Sequence, residues 1–238
     1  IMSSMGEFAK KGSSLIRWGH LGLTQGSLLD GEEELAFVQK LIPQDLTFED
    51  LKIPLVLNAI DLESGKEVIL KSGNLLKAVM ASSALPGLYP PVFHQNQLLV
   101  DGGVLNSLPV HLIRGFAPDV TIAVDLKSYY TEQNISAMIY HFYMQDAETK
   151  EGRLVIKKHF LQDSLAKLEF PIYVLLRSMS IVSQQNTNRV LEANRPDILI
   201  RPDLSEFSLI DTKDYQKIYD RGIEAGKKVL EELRSLLN

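Results

Sequence analysis

The chain has no cysteine among its 238 residues. Disulfides, thiolate catalysis and cysteine-based zinc sites are therefore excluded, and cysteine usage gives no clue to compartment. A basic excess is also missing. With 25 Lys and Arg against 30 Asp and Glu, net charge is -5, which argues against nucleic acid as a partner. No apolar run approaches the ~18 residues that a membrane-spanning helix needs. There is no Walker A pattern and no G-x-G-x-x-G after a strand, so nucleotide binding has no motif support. The five histidines are His20, His94, His111, His141 and His159. None of them pair at the i, i+4 spacing of a metalloprotease helix, and no metal site is expected. The opening residues lack the basic start, apolar run and cleavage site of a signal peptide.

What is present is a globular composition, 45% hydrophobic and 23% charged. The pattern predicts helices near residues 1–11 and 31–41, the second with Asp30 and Glu33 at capping-box spacing. Trp18 and His20 fall in a glycine-interrupted stretch that reads as a loop packed on the core. The near-continuous apolar run Pro54–Asp61 reads as a strand buried on both faces, as in a parallel sheet. Glu67–Lys71 reads as its hairpin partner, and a short helix follows over residues 74–81. Further on, a helix starts at Pro109, a strand covers 119–125, and a long helix covers 171–194 with Val174, Leu175, Met179, Ile181 or Val182, Val190 and Leu191 buried. Residues 134–168 read as one or two surface helices jointed at Gly152, either covering the sheet or acting as a lid. A last strand at 197–202 and an amphipathic helix over 213–237 close the chain. Strands alternating with helices imply a single α/β domain over residues 1–238.

The most informative stretch is Ala81–Pro109. Pro86, Pro90 and Pro91 prevent a regular helix there. His94–Gln97 is a polar turn between Val92-Phe93 and the apolar run Leu98-Leu99-Val100. That run ends at Asp101-Gly102-Gly103, where paired glycines let the chain turn sharply beside a carboxylate. The same pattern serves a catalytic aspartate or a plain turn. With the helix and strand that follow, it reads as a βαβ-like unit with parallel strands. Asp61 and Asp125 also end strands, and turn or cap roles fit them better. Ser82 and Ser83 lack a glycine-flanked elbow and read as backbone-bonding loop residues.

Taken together, Leu75–Gly87, with its Ala-Ser-Ser-Ala-Leu-Pro-Gly, then Pro90-Pro91-Val92, Val100-Asp-Gly-Gly103 and Val104–Val110 resemble the C-terminal half of bacterial patatin-like phospholipases. Thr47–Leu51, Pro54–Gly65, Ala123–Asp125, Arg201–Leu204 and the closing helix from Tyr215 are similar to further parts of that family. The resemblance implies a three-layer α/β/α fold with a mostly parallel central sheet. It implies a serine acyl hydrolase that uses a Ser–Asp dyad without cofactor or metal, acting on a lipid or other acyl ester. Asp101 falls on the family's catalytic aspartate, with Gly102 and Gly103 shaping its turn.

The chain departs from the family pattern in having no G-x-S-x-G and no glycine-rich run before Gly12. The expectation is therefore that the nucleophile elbow, the oxyanion loop and the N-terminal strand are missing, and that residues 131–170 are a helical insertion. Ser107 stands where the family commonly has a second asparagine. A non-catalytic patatin-fold module that binds lipid or protein is the alternative. Contact with a membrane surface and self-association through an exposed strand edge are further expectations. Localisation is left open between cytoplasm and peripheral membrane.

Overall fold

The computed structural model describes residue 27 and residues 31–126, 147–150, 153–156, 166–205, 207 and 214–237. The expectations for the helix near residues 1–11, for Trp18 and His20, and for Asp30 lie outside them. Helix α1 (Glu32–Leu41) starts at Gly31, whose φ of 76° is left-handed, and ends just before Pro43. A capping box closes the short 3-10 turn Phe48–Asp50: Thr47 N–H and Oγ1 donate to Asp50 Oδ2 at 3.0 and 2.6 Å. Strands β1 (Leu57–Asp61) and β2 (Glu67–Leu70) form the predicted hairpin.

Helix α2 (Leu75–Ser83) is capped by Asn74, whose Oδ1 accepts from Lys77 N–H at 2.9 Å. Its buried face is Leu75, Leu76, Ala78 and Ala81, and the alanines let it lie close to the sheet. Strands β3 (Val92–His94) and β4 (Gln97–Asp101) are joined by Gln95 and Asn96, with φ of 51° and 62°. Two left-handed residues make the two-residue turn whose twist matches paired strands.

The sheet order is β2-β1-β4-β3, and every pairing is antiparallel. This corrects the expected mostly parallel sheet. Positions 58–61 are buried, as the apolar run indicated. Burial, however, depends on what covers a strand and not on its direction, and both outer pairs are tight hairpins, which can only run antiparallel. The expected βαβ unit is corrected too. After β4 come α3 (Gly103–Asn106), α4 (Val110–Ile113) and a 3-10 turn to Phe116. Strand β5 (Ile122–Val124) then pairs in parallel with β8 (Ile198–Ile200), in a sheet separate from β4.

Within the expected helical insertion, β6 (Ala147–Lys150) and β7 (Arg153–Ile156) form an antiparallel hairpin in which Lys150 pairs with Arg153. Only two residues separate the strands, a spacing that favours a hairpin over a helical joint. The remainder of 131–146 and of 157–165 lies outside the described residues. Helix α5 (Ala166–Ala193) begins before Pro171, and α6 (Tyr215–Lys228) and α7 (Leu230–Leu237) divide at Val229.

The main core joins Phe48, Ala59, Leu70, Leu75, Ala78, Ala81 and Leu99 between sheet and α2. A second cluster, Leu108, Val110, Ala123 and Leu191, joins α4, β5 and α5. Among the described residues no helix is long and apolar enough to cross a membrane.

Candidate active site

Asp101 ends β4 opposite Ala59 of β1. Its N–H donates to Ala84 O at 3.0 Å, tying the strand end to the residue that follows α2. Its Oδ1 accepts from Gly103 N–H at 2.7 Å. Among the described residues no donor is paired with Oδ2. The carboxyl is half-buried, and burial pushes its proton affinity above the ordinary aspartate range, against the opposing effect of the Gly103 N–H.

The two glycines act differently from the sequence expectation. Gly102 has φ −61° and ψ −27°, ordinary helical angles. It is glycine because a Cβ there would sit 2.5 Å from Asn58 O and 2.5 Å from Asn58 Cγ. Close approach, not a left-handed angle, requires it. A Cβ at Gly103 would lie 3.0 Å from Asp101 Oδ1 and crowd the carboxylate itself.

Asn58 is the centre of a polar support behind the turn. Its Nδ2 donates to Asn106 O at 2.9 Å and to Glu67 Oε1 at 3.0 Å. Glu67 Oε2 meets His111 Nε2 at 3.1 Å, and Asn106 Nδ2 meets His111 Nδ1 at 3.3 Å. The sequence reading missed this network. One signal was available: Asn58 is a lone amide inside an apolar strand, and such a group must find partners.

Helix α5 braces the other side of the turn. Ser183 Oγ donates to Gly103 O at 2.5 Å, and Ser107 Oγ and Thr187 Oγ1 lie 3.1 Å apart. Ser183, Thr187 and Leu191 are 5%, 0% and 9% exposed, whereas Leu175, Ile181 and Val182 are 45%, 47% and 52% exposed. Leu191 is buried as expected and Met179 and Val190 are half-buried, whereas the exposure of Leu175, Ile181 and Val182 corrects that part of the expected apolar face; the Val174 side chain lies outside those described. At the turn, Ser183 supplies a hydroxyl donor to the Gly103 carbonyl, while the Thr187 hydroxyl donates to Ser183 O within the helix at 2.9 Å.

Of the other strand-end acids, Asp61 has the expected turn role, whereas Asp125 makes a long-range ion pair in place of the expected turn or cap. Asp61 accepts from Ser64 Oγ at 2.6 Å, Ser64 N–H at 3.2 Å and Glu63 N–H at 3.4 Å, a turn bond set that holds its carboxyl below the usual range. Asp125 pairs with Arg201 at 3.1 Å, linking β5 to β8. Ser82 and Ser83 form the end of α2 and not the expected loop, although Ser83 Oγ does bond backbone, donating back to Val79 O at 2.9 Å. It also meets Glu34 Oε1 at 3.3 Å. Glu34, on α1, lines a groove of about 450 Å³ between α1 and α2 whose wall includes Leu35, Leu76, Met80, Tyr89 and Pro91. Asp101 does not line that groove. No group of His, Asp and Glu able to hold a metal ion occurs among the described residues.

Asp101 is thus a half-buried carboxylate of raised proton affinity on a braced turn. Residues 7–113, which include α1 to β4 and Asp101, match the family model described as Patatin-like phospholipase. Over that segment the chain fits a patatin-like phospholipase. It is 29% identical over 167 residues to an NTE family protein of Mycobacterium tuberculosis, covering 70% of this chain and 26% of that protein. It is 38% identical over 104 residues to a second NTE family protein of that organism, covering 44% and 29%. It is 28% identical over 189 residues to human patatin-like phospholipase domain-containing protein 6, covering 78% and 13%. The chain thus spans under a third of the length of each of these relatives.

Proposed function

We propose that Asp101 is the general base of a Ser–Asp acyl-ester hydrolase of the phospholipase or lipase type, whose serine lies outside these 238 residues. One observation carries the reading: a half-buried carboxylate of raised proton affinity on a glycine turn, fixed at Oδ1 by a backbone N–H. In this chemistry the serine oxygen attacks the ester carbonyl carbon as its proton passes to Asp101. The tetrahedral intermediate expels the alcohol, which takes that proton, and water then releases the acid from the acyl-serine by the same steps. A carboxylate is a weak base, so burial that raises its proton affinity favours the first transfer. The patatin match and the NTE relatives support a lipid acyl ester as substrate.

The test is hydrolysis of a short-chain p-nitrophenyl ester by this chain and by a longer version that adds the upstream segment. Turnover is expected only in the longer protein, and its loss in Asp101→Asn. Turnover by this chain alone, dependent on Asp101, would show that the nucleophile is present within it.

A further inference from the structure

We propose that His111 and Glu67 are positioning residues for Asp101: they pin the far end of α3, the helix whose first N–H holds the carboxylate. The proposal rests on the reading of Asp101 as the base. It starts from the length of α3, which is a single turn, Gly103–Asn106. One turn fixes several backbone angles for very few hydrogen bonds, so it does not hold its own shape. Its place is set by what grips its two ends. At the near end are the Gly103 N–H on Asp101 Oδ1 and the Ser183 hydroxyl on Gly103 O. At the far end, Asn106 N–H donates back to Gly102 O at 2.9 Å, and Asn106 O accepts from Asn58 Nδ2 at 2.9 Å.

Glu67 and His111 make that far grip rigid. Both hydrogens of Asn58 Nδ2 are in use, one on Asn106 O and the other on Glu67 Oε1. Glu67 therefore fixes the angle at which the amide meets α3. His111, on α4, closes the clamp: its Nδ1 meets Asn106 Nδ2 at 3.3 Å and its Nε2 meets Glu67 Oε2 at 3.1 Å. An amide nitrogen only donates, so Nδ1 is the accepting nitrogen and the ring proton is on Nε2, donated to Glu67. A histidine backed by a carboxylate is also how a catalytic base is oriented. Here both ring nitrogens are engaged inside the support, and none is left to take a proton from a nucleophile. The pair acts instead through Asn58 and Asn106, which are both buried.

The experiment reads the His111 ring and the Gly103 amide by proton–nitrogen NMR in the full 238-residue chain, as wild type, His111→Gln and His111→Leu. Glutamine places a donor where Nε2 sits; leucine fills similar space with none. In the wild type the ring proton is expected on Nε2, and the Gly103 amide proton should move downfield as Asp101 ionises, because a charged acceptor strengthens that bond. His111→Leu should reduce that movement by about half or more as the bond loosens, and His111→Gln should restore most of it. In the longer version that carries its nucleophile, His111→Leu should lower kcat for the p-nitrophenyl ester by about 10–100-fold with KM nearly unchanged, the scale of a misplaced catalytic group. His111→Gln should recover most of that loss. A ring proton on Nδ1 in the wild type, or a Gly103 response in His111→Leu equal to wild type, overturns the proposal. So does an equal loss in the two variants, which marks a packing role only. The ring proton needs no variant, so the test stays decisive if His111→Leu fails to fold. The Gly103 readout needs no turnover, so absence of hydrolysis in the longer protein removes the hydrolase reading and leaves the clamp standing. An unaltered Gly103 response removes the clamp and leaves hydrolysis through Asp101 standing.

Discussion

Asp61 and Asp101 end neighbouring antiparallel strands, at the two ends of the three-pair ladder that joins β1 to β4. The two ends treat the same residue type in opposite ways. At the Asp61 end, the Glu63–Gly65 turn folds back and gives the carboxylate a hydroxyl and two N–H donors. It is saturated and its proton affinity is lowered. At the Asp101 end, the chain continues into α3, and among the described residues one N–H serves the carboxylate. Burial then raises its proton affinity. The proton affinity of a strand-end aspartate follows the donors its turn supplies and the depth of its burial, not its place on the strand.

The largest expected effect separates the two ends by activity. In a version that carries its nucleophile, Asp101→Asn should lower kcat for p-nitrophenyl ester hydrolysis by about 10²–10⁴-fold, the range for loss of general base catalysis. Asp61→Asn should leave kcat nearly unchanged. Equal losses would remove the distinction.

A change shared by both ends comes next. Leu99, fully buried on β4 and in register with Asp61, should cost about 2–5 kcal/mol as Leu99→Ala in urea unfolding, from lost burial and the cavity left behind.

The turn glycines give a smaller and more selective contrast. Gly102→Ala forces a methyl against the Asn58 backbone and should cost about 1–3 kcal/mol. Gly65 has φ of 67° with open space around its Cβ position. Gly65→Asn should therefore be nearly neutral, because asparagine tolerates left-handed angles. Urea midpoints of the two variants test the pair.

The smallest effect is in the pH dependence of stability. Glu34 binds its proton more tightly folded than unfolded, so its contribution is full below about 4.5 and is lost as pH rises towards about 7. Asp61 has a lowered folded value, so its contribution is present above its unfolded value of 3.8 and is lost as pH falls below it. Thermal midpoints across pH 3–8 should show Glu34→Gln flattening the fall between 4.5 and 7, and Asp61→Asn flattening only the acid limb.

Short-range features were legible in the sequence because their causes are local. The β1–β2 and β3–β4 hairpins, the stop of α1 before Pro43 and the turn role of Asp61 follow from residues a few positions apart. Asp101 stood out for the same reason, through Asp-Gly-Gly after an apolar strand. Strand direction did not, since an apolar run records burial and carries no information about which neighbour pairs with it. The hydroxyl face of α5 was also hidden, because its partner carbonyl at Gly103 is 80 residues away in the chain.

By itself the sequence determined that a carboxylate sits on a glycine turn at a strand end, and that the surrounding residues resemble one hydrolase family. Only the tertiary structure decided the surroundings of that carboxylate. Desolvation, the brace from Ser183 and Thr187 and the Asn58 network under Gly102 all come from distant parts of the chain. Proton affinity depends on what surrounds a group in space, and that environment exists only once those parts have packed together.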